Sequence, residues 1–146
     1  MISLTWQPPC AGFVKCNCDA SCDPITGEAS AVLIICNDVG HILEGDTRLF
    51  KACYANAAKV VAIRLGFFLT VRADFSFVIF ESDCANVIQH LSSKSLSSWN
   101  SVAIEDVILN ISAAFPSFSF VYVKMECNPT AEWVAKAAKN GCCPVD

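Results

Sequence analysis

The stretch that could carry chemistry near the start of the chain is Phe-Val-Lys-Cys-Asn-Cys-Asp-Ala at residues 13–20. Read with a strand's two-residue alternation, Val14, Cys16 and Cys18 share one face, and Lys15, Asn17 and Asp19 share the other. Two readings follow. In one, this is a half-exposed strand whose polar row meets water. In the other, Asp19 ends a central strand and points into an active site. Thiols offer a second chemistry, since Cys16, Cys18 and Cys22 could supply metal ligands. No paired Cys-x-x-Cys and no nearby His completes a tetrahedral set, however, so these cysteines are expected in the core as small hydrophobes. Further acids stand in Phe80-Glu81-Ser82-Asp83 and, near the far end, in Glu126-Cys127-Asn128 followed by Glu132.

The elements that would position these residues are legible in the periodicity. Strands are expected over residues 13–19, 29–36 and 41–50, joined by short turns at residues 22–28 and at Asn37-Asp38-Val39-Gly40, which makes an antiparallel meander. Over residues 53–70 the period changes. Ala55, Ala58, Ala62, Leu65 and Leu69 recur at three- and four-residue steps, as on a buried helix face. A strand at 75–83, a helix at 84–91, a serine-rich loop at 92–98, a helix at 100–114 and a strand at 118–124 follow. Pro129 opens a last helix that Gly141 stops. The order β-β-β-α-β-α-α-β-α predicts one α/β domain over residues 1–146, with a core at about 6–140 and helices packed on a mixed sheet.

Composition narrows the functional classes. The chain has 146 residues, 54% of them hydrophobic and 16% charged, which excludes disorder and predicts a well-filled core. The most apolar run, residues 60–71, is broken by Arg64 and Gly66, and the first residues lack the basic start of a signal peptide. A soluble, intracellular protein without a membrane partner is expected. The ten cysteines are then thiols rather than a disulfide framework, with Cys142 and Cys143 the exposed pair. A net charge of −4 argues against a generic nucleic-acid binder, which would be basic, but leaves room for an enzyme that meets phosphates through metal ions.

Three local patterns coincide in order: Trp6, Pro8-Pro9, Gly12, Lys15, Asn17 and Asp19; then Phe80-Glu81-Ser82-Asp83; then Glu126-Cys127-Asn128 with Glu132. Together they resemble the ribonuclease H-like domain of plant proteins related to non-LTR retroelement reverse transcriptases. The resemblance implies a five-stranded mixed sheet in the order 3-2-1-4-5, helices on both faces, and a nuclease that cleaves the RNA strand of an RNA–DNA hybrid with two magnesium ions. It assigns metal-binding, catalytic carboxylates to Asp19, Asp83 and Glu132, the last where the family carries Asp. Lys15, Asn17 and Asn128 are the candidate nucleic-acid contacts. One position departs from the family. Its first helix reads Ala-Glu-x-x-Ala-x-x-x-Gly-Leu, whereas this chain has Ala58-Lys59, with Ala62 and Gly66 holding the register. Lys59 thus stands at a catalytic carboxylate's position, and a weakened second metal site is expected. The alternative is a non-catalytic module that binds nucleic acid or another protein. Glu81 alternates onto the side of Asp83, but an acidic residue is common there in the family, so it is no replacement for the missing Glu; Asp38, Asp46, Asp74, Glu105, Asp106, His41 and His90 are read as structural or solvent-facing. Phe67, Phe68, Phe75, Phe77, Phe115, Phe118 and Phe120 are read as core.

Overall fold

A computed structural model describes residues 6–52, 54–93, 113 and 117–123. Its five strands, β1 (Val14–Cys22), β2 (Glu28–Cys36), β3 (Ile42–Lys51), β4 (Phe77–Ser82) and β5 (Ser117–Tyr122), form a sheet in the order β3-β2-β1-β4-β5. The β1–β2 and β2–β3 pairs are antiparallel, and the β1–β4 and β4–β5 pairs are parallel. This is the mixed sheet expected from the sequence. The helices expected at 100–114 and from Pro129 onward lie, apart from Ala113, outside the described residues, as do Glu105, Asp106, Phe115, Asn128, Glu132, Cys142 and Cys143.

The meander follows from its turn residues. Asn37 accepts the backbone N–H groups of Val39 and His41 on its side-chain oxygen, and Gly40 takes the positive φ that closes the turn. The β2 sequence, with its run of Val32, Leu33, Ile34 and Ile35, is almost wholly buried, as suits a strand covered on both faces. The half-exposed reading of β1 is overturned, because residues 14–20 are buried without a break. The reason is that both faces are covered, one by a helix and the other by the segment leading into the strand.

The helix is α1 (Ala55–Arg72), which carries the chain from the edge strand β3 across to β4. Ala58, Ala62, Gly66 and Thr70 form a buried stripe at four-residue steps. A Cβ built on Gly66 would come within 2.8 Å of the Cys18 sulfur and 3.1 Å of the Cys16 sulfur. Glycine therefore lets the helix settle directly on β1, with small thiol side chains beneath it. The second helix, α2 (Ala85–Ser93), begins just beyond β4. Phe80, Leu33, Ile35, Ile63, Val78 and Val87 are among the large, fully buried side chains that fill the core. Phe67 belongs to that core. Phe68 and Phe77, also expected there, are exposed, because α1 carries apolar residues around its circumference and β4 begins near the sheet's rim. No helix among the described residues is long and apolar enough to cross a membrane.

Candidate functional site

Parallel pairing brings the same ends of β1 and β4 together, and the site forms where the two strands part. Their ladder runs from Val14↔Val78 to Asn17↔Glu81 and stops there, while β1 continues to Cys22 on β2 alone. Asp19 is consequently not the last residue of its strand, as the sequence suggested, but lies two residues past the last β4 pairing. Asp83 follows the end of β4 and precedes α2. Such a fork at the carboxyl ends of neighbouring parallel strands is where open α/β sheets place their ligands.

Lys59 enters this fork from the first turn and a half of α1. Its Nζ donates to Oδ1 of Asp19 and, at 2.9 Å, to Oδ1 of Asp83. The side chain of Asp19 is 1% exposed, that of Asp83 9% and that of Lys59 17%. Two sequence-predicted carboxylates thus meet, with an ammonium joining them. The close seat of α1 at Gly66, two turns along the helix, sets the height from which Lys59 reaches β1. Burial pushes the Asp19 carboxyl above its ordinary range, with Asp83 adding to the push and Lys59 opposing it. For Lys59, burial works against the charge, yet the fields and hydrogen bonds of Asp19 and Asp83 outweigh it and hold the ammonium above the usual lysine range. The lysine is a charged, doubly paired group and therefore neither a nucleophile nor a base at neutral pH.

The other polar residues of β1 are engaged on the side away from α1. Lys15 Nζ pairs with Glu81 Oε2 at 2.8 Å and donates to the Gln7 carbonyl at 2.7 Å. Asn17 donates to Glu81 Oε1 at 2.8 Å and accepts the Trp6 indole N–H at 2.8 Å. The Trp6 ring also lies 5.3 Å from the Lys15 ammonium, in cation–π range. Lys15 and Asn17, the candidate nucleic-acid contacts, are buried under the N-terminal lead-in. Glu81 is occupied by this network, with both carboxylate oxygens engaged. Sequence reading did not anticipate the lead-in's role. The signal it left was the coincidence of Trp6, Lys15 and Glu81 with a strand too polar to be buried unaided. Asn56, near Lys59 on α1, accepts a hydrogen bond from the Cys84 thiol at 3.3 Å and ties α1 to the start of α2.

Among the described residues no three His, Cys, Asp or Glu side chains are grouped to hold a metal ion. The facing oxygens of Asp19 and Asp83 are both spent on Lys59. Magnesium does not fit this arrangement, because a cation bound to those oxygens would have to displace the ammonium. The described cysteines do not make a metal centre either. Cys16 and Cys18 are buried with sulfurs 3.7 Å apart, and Cys36 is buried on the neighbouring strand, while Cys10 is exposed.

Comparison with known proteins agrees with this architecture. The structure is similar to ribonuclease H1 from the archaeon Halobacterium salinarum, with a TM-score of 0.74 and 18% identity over 88% of this chain and 98% of that one. It is also similar to the N-terminal RNase H domain of a Mycobacterium tuberculosis protein, with a TM-score of 0.79 and 14% identity over 89% of this chain and 95% of that one. LC11-RNase H1, solved in complex with an RNA/DNA hybrid, matches with a TM-score of 0.78 and 14% identity over 88% of this chain and 97% of that one. At these identities the likeness is one of fold. No curated protein sequence matches the chain significantly. The reverse transcriptase-like family model matches residues 17–138, from Asn17 in β1 past the end of β5. The chain therefore belongs to the reverse transcriptase-like family and has the ribonuclease H fold.

Proposed function

We propose that this chain is a retroelement-derived, plant-type ribonuclease H-like domain that binds RNA–DNA hybrid or a related nucleic acid, and in which Lys59 strongly reduces magnesium-dependent hydrolysis. The observation that carries the reading is the Lys59 ammonium held between Asp19 and Asp83. Two carboxylates against one ammonium leave a single net negative charge in the fork, where a Glu at position 59 would leave three. At about 4 Å and an effective dielectric near 20, an ammonium attracts each carboxylate by roughly 4 kcal/mol and repels a divalent ion by roughly 8 kcal/mol, both gross of solvation. The charge that organises the two acids is thus supplied by the chain itself. Glu132, the last acid of the family pattern, belongs to the same proposed site.

Nucleic-acid binding is supported by the family, by the fold, and by the hybrid held by LC11-RNase H1. The ribose 2′-hydroxyl would be the feature that separates an RNA strand from DNA. A cleavage assay on a labelled RNA–DNA hybrid with magnesium, run beside a gel-shift on the same hybrid, tests the proposal. Binding with little or no cleavage, and with cleavage gained by Lys59→Glu, is the expected pair of results. Robust cleavage by the natural chain that is abolished in Asp19→Asn would show a competent nuclease and overturn the reduced-activity reading. Cleavage that persists in Asp19→Asn would come from another site or a contaminant.

A further inference from the structure

The edge strand β3 presents its outer side to solvent. Among the described residues its only partner in the sheet is β2, and Ile42 and Leu49 are 62% and 69% exposed. An uncovered edge of this length is a template for another strand. Its charges are sorted by position: Glu44 and Asp46 precede Thr47, and Arg48 and Lys51 follow it. A parallel, in-register neighbour would set like charges together. An antiparallel second copy sets the acidic half of one strand against the basic half of the other.

The register can be derived. Centring a two-fold axis on Asp46 or on Arg48 opposes that charge to its own copy, and centring it on Gly45 opposes Glu44 to Asp46. Centring it on Thr47 opposes Asp46 to Arg48 of the second copy twice over, puts Leu49 opposite Gly45, and puts Glu44 opposite Phe50 with Arg48 at the diagonal. Glycine at position 45 leaves room for the exposed Leu49. The regular ladder with β2, from Glu44 to Lys51, spans this overlap. It is broken between Glu44 and Ile42, where Leu43 has no partner and forms a bulge, so the evenly paired segment starts at Glu44. Thr47 lies near the middle of that segment, which ends at Lys51. Asp46 and Arg48 already pair within one strand, at 3.0 Å, and Asp46 also accepts the Thr47 backbone N–H at 2.9 Å, a bond that pairing at the axis has to exchange. Across the axis their counterparts would complete an alternating cluster of four charges.

We infer that β3 is a self-association edge, and that two copies of this chain join their sheets by antiparallel pairing of β3 about Thr47. The interface is small and the dimer correspondingly weak. Analytical ultracentrifugation over a concentration series tests it with two variants, Arg48→Asp at an exposed position and Asp46→Arg at a half-buried one, checked for native circular dichroism. Each variant alone opposes like charges in this register and should weaken self-association at least tenfold. Mixed together they should form a heterodimer, because each Asp then faces an Arg. In addition, Thr47→Cys should give a disulfide-linked dimer under mild oxidation, since a directly opposite pair brings the two Cα atoms to about 4.5–5.5 Å. A natural chain that stays monomeric at the highest concentration overturns the inference. So does a dimer indifferent to both charge variants, or a mixture that gains nothing over its components.

Discussion

Replacing Lys59 by Met keeps a flexible chain of similar length in the fork and removes the ammonium. Asp19 and Asp83 then face each other without a counter-charge, in a site where their side chains are 1% and 9% exposed. Breaking a buried pair in this way costs about 3–5 kcal/mol, and the partial exposure of Lys59 favours the lower end, about 3 kcal/mol at pH 7. A limit exists, because a carboxyl can take up a proton instead. From an ordinary value of 3.8 that protonation costs about 4 kcal/mol at pH 7, so the charged-pair cost stays below it. The sign with pH follows. Without Lys59 the Asp19 carboxyl rises further, so between the unfolded and folded values the native variant holds more protons than its unfolded chain. Its stability therefore falls as pH rises through that interval. The gap between natural chain and variant should be small near pH 4 and widest near neutrality. Urea unfolding at both pH values measures it, with a midpoint drop of roughly 1.5 M expected at pH 7 for a slope near 2 kcal/mol/M. Adding Asp19→Asn to the variant should recover part of the loss. A loss below about 1 kcal/mol, or one equal at pH 4 and pH 7, would refute the idea that this ammonium stabilises both acids.

Further outcomes follow from other contacts. The ion-pair contribution of Lys59 to stability should be fully present below pH 10.5, the ordinary lysine value, and be lost progressively as pH rises from there through its raised value, which thermal melts in alkaline buffers will show. Gly66→Ala gains about 1 kcal/mol of helix propensity but drives a methyl group into the Cys16 and Cys18 sulfurs, so a net loss of about 1–2 kcal/mol is expected, relieved in the Gly66→Ala, Cys18→Ala double variant. Glu81→Ala takes the carboxylate from Lys15 and Asn17 and should cost about 3 kcal/mol in urea unfolding; a loss under 1 kcal/mol would mean that the network contributes little.

How much of this could be read from the sequence differs by element, for physical reasons. The meander was legible because its turns are specified locally, by Asn37 and Gly40, and because β2 is apolar on both faces. The position of Lys59 along α1 was legible because Ala58, Ala62 and Gly66, at four-residue steps, form the helix's buried stripe. Its bonding to both Asp19 and Asp83 at once was not legible, since that depends on where β1 and β4 part. Nor was the fate of Lys15 and Asn17. Alternation assigns residues to faces but does not say what covers a face, and here Trp6 and Gln7 arrive from outside the strand. Phe68 and Phe77 were misassigned for a related reason, because an apolar residue is as compatible with a surface as with a core.

The central claim, that a tethered ammonium occupies the cation's place in the fork, is tested most directly by a magnesium titration followed by NMR. For the natural chain the amides around Asp19 and Asp83 should show no saturable shift at millimolar magnesium, whereas Lys59→Glu should gain one and gain thermal stability with it. Tight, saturable magnesium binding at those amides in the natural chain, accompanied by ordinary hybrid cleavage, would contradict the account.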